Sequence, residues 1–409
     1  MPRRFATIAA LLATTATAGA RQATFHGVGI LPTYTRSSAA ALSADGSTVI
    51  GSCYTGTSAN FRPFRWSAGD GIQDLGLLPG GTFASALGVN ADGTVIVGRC
   101  TVGGVVRAFR WTGAGGMQEL PGPASATYVI ATGVSADGSV VTGTAGPATG
   151  GALPFRWTAI GGAAWLPLPA GWLGAEALAM STDGNTIVGK GPPFPPPSQP
   201  FRIVGSVAQA LGSVPAGLET HAVGVSGNGS VVVGSFGTLV YLRGFKQTGS
   251  GAPQLLPAPG AFTWSAFAAN HDGSVIGGAL SPFPDSEAYV WSADPGNVLL
   301  APHLAGLGVS LTGWTLREIH GVSADGRTFA GRGTHQVAPG DLREEAWIAG
   351  LGAICYPDCN KDAQLTVADF GCFQGKYVLG DLYADCNTSG TLTVADFGCF
   401  QGKYVLGCP

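Results

Sequence analysis

Two stretches near the C-terminus carry oxygen-bearing side chains at the spacing needed to wrap a cation. The first runs Asp358, Asn360, Asp362, Gln364, Thr366 and Asp369; the second, 27 residues later, runs Asp385, Asn387, Ser389, Thr391, Thr393 and Asp396. Side-chain oxygens at loop positions 1, 3, 5, 9 and 12, with a backbone carbonyl at 7, enclose a hard divalent ion such as calcium, which takes about 6–8 oxygen ligands. The pattern predicts two calcium ions, one per loop. The first loop brings the carboxylates of Asp358, Asp362 and Asp369. The second brings only Asp385 and Asp396, because Ser389 stands at position 5. Position 6, where the chain turns sharply, is Gly390 in the second loop and Ala363 in the first.

The elements that must hold these ligands are repeated as strictly as the ligands. Leu365–Gly380 recurs without change as Leu392–Gly407 (LTVADFGCFQGKYVLG). Phe370, Phe373 and Tyr377 fall at i, i+3 and i+7, as do Phe397, Phe400 and Tyr404, so a helix is expected after each loop. Gly380 and Gly407 are natural stops. Apolar Leu365 and Leu392, at position 8, would pair the loops through a short β contact. Six of the eight cysteines lie in this tail, and a small exported module with little core uses disulfides. The expected pairing is Cys355 with Cys408 across the ends, and Cys359, Cys372, Cys386 and Cys399 joined symmetrically.

Two loop–helix units without a leading helix, each closing its loop on Asp, closely resemble a type I dockerin over residues 353–409. That resemblance implies calcium-dependent docking onto cohesin modules of scaffolding or cell-surface proteins, in complexes that handle extracellular polysaccharide. The tail departs from the family at Ala363, in its added cysteines, and at positions 10 and 11. There the family often carries hydroxylic partner-contacting residues, and this chain has Val367-Ala368 and Val394-Ala395.

Upstream, a different unit repeats seven times. Val89-Asn90-Ala91-Asp92-Gly93-Thr94-Val95-Ile96-Val97-Gly98 is one copy, and its turn residue recurs as Asp45, Asp92, Asp137, Asp183, Asn228, Asp272 and Asp325. Spacings are 44 to 47 residues, with a last step of 53. Each unit holds four short strand candidates; in the second they are residues 85–90, 94–100, 107–111 and 117–120. Asp-Gly joins the first two, as expected of a tight hairpin with both central residues at positive φ. The third strand carries an aromatic marker such as Ala108-Phe109-Arg110-Trp111. No stretch of these units shows a sustained helical period. A four-stranded unit cannot bury both its faces alone, so seven must stack, and closing them into a β-propeller removes most exposed edges. Phe25–Pro32 resembles the fourth strand of the first unit, and the seventh unit lacks a convincing fourth strand. Thr24–Leu31 is therefore expected to complete the last blade. The fold class read from the chain is mainly β: a seven-bladed propeller over residues 24–350, then a small helical calcium-binding tail. The ADGSVVVG and AFRW pattern resembles the HAF repeats of secreted bacterial proteins, which imply no particular chemistry. The Asp-box of sialidase-type propellers does not match, because Asp and Gly are adjacent here.

A residue present in every blade does blade-level work, so the turn Asp residues are expected to be structural. Arg65, Arg110, Arg156 and Arg202 would pair with them or stack on the neighbouring Trp. Chemistry in the ring should come from residues that break the repeat. Seven positions before the turn residue, Ser38, Ser85, Ile130 and Ser265 give way to Glu176, His221 and Glu318. Trp172, Trp264 and Trp314 lie just upstream, in expected connecting loops. Glu176 and Glu318 are candidate acid and base of a glycosidase, and the tryptophans candidate platforms for a carbohydrate ligand.

Net charge is −3 and only 11% of residues are charged, so no basic field attracts nucleic acid. Arg3-Arg4, an apolar run over residues 5–16 and Ala18-Gly19-Ala20 read as a cleavable export signal over residues 1–20. That places the mature chain outside the cell, and no other stretch is long enough to span a membrane. HExxH, GxSxG and phosphate-loop motifs are missing. His26 and His320 read as ordinary strand residues. Cys53 and Cys100 occupy equivalent places in adjacent blades, and a bridge between them is left open. The leading expectation is a secreted calcium-binding protein that docks a propeller module onto a cohesin-type or cell-surface partner. A glycoside hydrolase or lyase working on the channel face, and a calcium-stabilised structural protein without such a partner, are the alternatives.

Overall fold

The computed structural model describes residues 23–56, 60–147, 149–191, 198–212, 218–238, 241–258, 263–281, 285–292, 297–352, 359, 367–379, 384 and 393–406. Residues 24–351 form one compact unit. It holds seven sheets of four antiparallel strands, each sheet built from consecutive strands except the last. The blades span residues 36–74, 81–120, 126–165, 176–210, 219–255, 263–299 and 314–350. In blade seven the fourth strand is Thr24–Gly27, which pairs antiparallel with Asp341–Gly350 and joins the chain's start to its last blade.

The repeated motif explains the blade. In blade one the Gly46 N–H donates to the Ser43 carbonyl at 2.9 Å, and Gly46 sits at φ 74. Asp45 keeps an ordinary negative φ, so the hairpin is a type I turn closed by a left-handed glycine rather than a turn with two positive φ values. The Asp is there for its side-chain oxygen, which Asn228 supplies in blade five. The glycine that ends each motif answers a close approach: a Cβ on Gly98 would lie 2.0 Å from the Ser85 carbonyl and 2.9 Å from the Phe109 ring. Gly98 is paired across the sheet with Phe109, and Phe64, Phe109, Phe155, Phe201 and Phe245 are all fully buried. The aromatic of the third strand thus fills the space that the glycine leaves open.

Every inner strand carries a register shift at the same place. The displaced residues are Ala40, Leu87, Thr132, Leu178, Val223, Phe267 and His320, and all of them line the channel. A bulge re-aims one side chain out of the sheet's alternation. At the hairpin end of the channel the blades are tied to one another by backbone bonds. Asp45 donates to Ala91, Ala91 to Ala136, Ala136 to Thr182, Thr182 to Gly227, Asn228 to His271, His271 to Ala324, and Ala324 back to Ala44, at 2.7 to 3.2 Å. This belt closes on itself, and the small residue before most turn Asp positions is what lets it close.

The last step of 53 residues holds a helix that the sequence did not reveal, α1 (Leu300–Gly306), which buries Leu300 and Leu304 between blades six and seven. Seven residues are too few to establish a period. In the tail, helices α2 (Val367–Val378) and α3 (Val394–Leu406) form where expected, the second ending just before Gly407. Phe373 and Phe400 are fully buried and stack at 4.1 Å, with Tyr377 against Phe397 at 4.6 Å. Cys359 and Cys372 form a disulfide, and Cys399 is also disulfide-bonded. No helix among the described residues is long and apolar enough to cross a membrane.

Candidate functional site

The repeated turn residues have structural work. Asp137 accepts from the Ser135 hydroxyl at 2.6 Å, the Ser139 N–H at 3.0 Å and the Ser139 hydroxyl at 2.8 Å. Those bonds, the Ser135 one foremost, hold its carboxyl at about 2. The third-strand arginines do not reach these carboxylates as expected. Arg110 and Arg156 donate instead to the carbonyls of Gly138 and Gly184 in the next blade, and Arg202 to Gly249. Arg65 lies over Trp111 at 6.0 Å. A carbonyl on the adjacent turn is nearer the guanidinium than the Asp, which its own serine neighbours already engage. Cys53 and Cys100 are both buried and unbridged. Burial pushes the Cys53 thiol up to about 11.

The residues that break the repeat stand on separate inner strands: Glu176 in blade four, His221 in blade five and Glu318 in blade seven. Each has its own partner. Lys190 Nζ lies 3.3 Å from Glu176. His221 is shifted down by burial and then by the charge of Lys190, against the opposing pull of Glu219. Burial works to raise Glu318, but hydrogen bonds from His320 and Arg332 and the charge of Arg332 win and hold it at about 2. Arg332 grips both Glu318 oxygens, at 2.9 and 2.6 Å, and reaches Glu344 at 3.0 Å. A carboxyl held that low is not suited to donate a proton near neutrality.

The tryptophans pack rather than project. Trp264 and Trp314 belong to inner strands, not to connecting loops. Trp172 packs edge-on against Phe201 at 6.1 Å and covers Gly191. Trp264 lies under the Arg243 guanidinium at 5.6 Å, and Trp314 stacks on His335 at 4.4 Å. Each is half-buried.

Sequence reasoning missed the residue that the bulge turns into the channel. His320 Nε2 lies 2.9 Å from Glu318 Oε2, and its ring stacks on Phe267 at 5.1 Å. The signal was available: five positions before the turn residue the repeat reads Ala, Leu, Thr, Leu, Val, Phe and then His. It also missed the seam at the closing strand. Gly29 N–H donates to Glu345 Oε1 at 3.0 Å, His335 Nδ1 meets Glu345 Oε2 at 2.9 Å, and the Ser37 hydroxyl donates to Gly29 O at 2.7 Å.

In the tail, Asp369, Thr393 and Asp396 are described; Asp358, Asn360, Asp362, Gln364, Thr366, Asp385, Asn387, Ser389 and Thr391 lie outside the described residues, as do the export segment and Cys355, Cys386 and Cys408. Asp369 and Asp396 are both at zero exposure, in the first turns of α2 and α3. Asp396 Oδ2 accepts from the Thr393 N–H at 2.7 Å and from its hydroxyl at 3.3 Å, a capping box at the start of α3. Among the described residues no group of His, Cys, Asp or Glu gathers around a metal position.

No family model matches the chain, and no curated protein matches it. Solved structures do. The chain is similar to an oligogalacturonate lyase in complex with manganese, at 14% identity and TM-score 0.51, over 82% of this chain and 98% of that one. It is similar to the β-propeller domain of the Trilobed protease from Pyrococcus furiosus, at 8% identity and TM-score 0.52, over 78% and 94%. TolB from Acinetobacter baumannii matches at 13% identity and TM-score 0.40, over 54% of this chain, which spans only 53% of that protein's length. The likenesses to the lyase and to the Pyrococcus domain show the fold. The Pyrococcus domain has an open velcro topology, whereas here Thr24–Gly27 closes the ring.

Proposed function

We propose that this is an exported, calcium-binding protein whose tail docks a propeller module onto a cohesin-type or cell-surface partner, in the handling of extracellular polysaccharide. The observation that carries the proposal is the pair of carboxylates, Asp369 and Asp396, at zero exposure and at the same place in two identical sequences. Burying a carboxylate costs solvation energy, and a cation beside it is one form of charge compensation. Position 12 of a calcium loop supplies that compensation through the ion, and the preceding oxygen ligands supply the rest of the cage. Asp358, Asn360, Asp362, Gln364, Thr366 and Asp369 would hold the first ion; Asp385, Asn387, Ser389, Thr391, Thr393 and Asp396 the second. Calcium supplies charge and rigidity there, while the aromatic contact between α2 and α3 orders the helices. Val367 and Val394, 87% and 84% exposed at position 10, offer the partner matching apolar points on the two copies.

The reading of the channel face as a hydrolase or lyase site has less support. Glu318 is held ionised and Glu176 is tied to Lys190. The test of the docking proposal is calorimetric titration of the full-length protein with calcium. Two ions bind, the tighter at the three-carboxylate first loop, and Asp369→Ala removes it while Asp396→Ala removes the weaker. Absence of calcium uptake by the oxidised, folded protein rejects the proposal.

A further inference from the structure

Inside the ring lies a cavity of ≈ 330 Å³ walled by the inner strands. Each inner strand has a sheet partner on one side only, so its channel edge presents backbone N–H and C=O groups that sheet pairing leaves open. Among the described residues no Lys, Arg, Asp or Glu lines this cavity, and the polar side chains that do are Thr132 and His320. The Thr132 hydroxyl is engaged, donating to the Ala177 carbonyl at 3.0 Å. His320 is held by Glu318, an ionised and therefore acceptor-only carboxylate, which fixes a proton on Nε2. The His320 side chain lines the cavity, and no described residue hydrogen-bonds its Nδ1. Phe267, the neighbouring bulge residue, stacks on the same ring with an 18° interplanar angle and fixes its plane.

We propose that this cavity binds one small, neutral, polyhydroxylated molecule of monosaccharide size, with a ligand hydroxyl donating to His320 Nδ1. A wall of open N–H and C=O groups without net charge matches hydroxyls, which both donate and accept. The volume lies at the small end of ligand pockets, about 300–1,000 Å³. A second chamber of ≈ 130 Å³ adjoins it beside the backbone belt and shares Leu42, Val89 and Val134 with its lining. The cluster of Arg332, Glu318 and His320 acts as a positioning device, and its asymmetry gives a sevenfold channel one chemical address. This inference uses no part of the calcium proposal.

The test is a titration of full-length, ¹⁵N-histidine-labelled protein, with chelator present, against D-glucose, D-galactose and myo-inositol. His320 is expected in the Nε2–H tautomer, and at least one of the three shifts its Nδ1 resonance with saturation at one ligand per chain. His320→Ala weakens that ligand by about tenfold, the loss of one hydrogen bond, and His320→Asn restores part of it. Phe267→Ala weakens it as well, with melting temperature as the control for folding. If none of the three moves the resonance, if His320→Ala binds as the unaltered protein does, or if His320 carries its proton on Nδ1, the proposal is wrong.

Discussion

The chain repeats aspartate in two regions and treats it in opposite ways. In the propeller, Asp45, Asp137 and Asp325 sit on the surface, each answered by the serine two residues before it and the N–H two residues after it. In the tail, Asp369 and Asp396 are at zero exposure. A surface carboxylate satisfied within its own turn has no need of a further partner. Asp396 is capped within its own turn as well, by the Thr393 N–H and hydroxyl, so burial is what sets it apart, and in a small module a metal would offset part of the cost of burying such a charge. Repetition of a residue therefore does not disclose its role, whereas its burial and its neighbours do.

The contrast can be broken from the propeller side. Deleting residues 24–31 removes the outer strand of blade seven together with buried Val28 and Leu31. Loss of two buried aliphatic side chains and a strand should cost about 5 kcal/mol or more and lower the melting temperature of the whole ring in one transition. The tail's transition should not move. An unchanged ring would show that the closing strand is dispensable.

A smaller effect sharpens what blade seven adds. The carboxyl of Glu318 is held at about 2 in the folded chain, below its ordinary 4.5. A depressed value means stability that is complete above about pH 4.5 and lost as pH falls through 2. Glu318→Gln should therefore cost about 2–3 kcal/mol at neutral pH, and its melting curve should merge with that of the unaltered protein near pH 2. Melts across that range decide it; a difference that persists at the acid end would assign the stability to packing instead.

The smallest expected effect is at a single turn. Asp137→Ala removes hydrogen bonds at an exposed site and should cost about 1 kcal/mol, with no change in calcium uptake. Chemical denaturation measures it. A loss of bound calcium in that variant would mean that the propeller's aspartates are ligands after all.

Much of the architecture was legible in the sequence. The turn signal, the buried aromatic of the third strand and the N-terminal closing strand were all readable, because each follows from alternation and repetition. What stayed hidden does not alter residue type. The bulge that turns His320 into the channel is a shift of register, and a histidine before Gly-Val looks the same on either side of it. Trp264 and Trp314 read as loop residues because their strands begin earlier than the alternation suggests. Glu345 gave no signal, since its partner Gly29 meets it only when the N-terminal strand joins blade seven, while His335 reaches it from the neighbouring strand of the same hairpin.

Hydrogen exchange on the full-length protein, with calcium and then with chelator, reads both regions in one experiment. The account predicts that amides of α2 and α3 are protected with calcium and exchange rapidly once it is removed, while those of the blade strands are unaffected. Equal protection of the two helices in both conditions would contradict the claim that calcium supports the buried carboxylates of the tail.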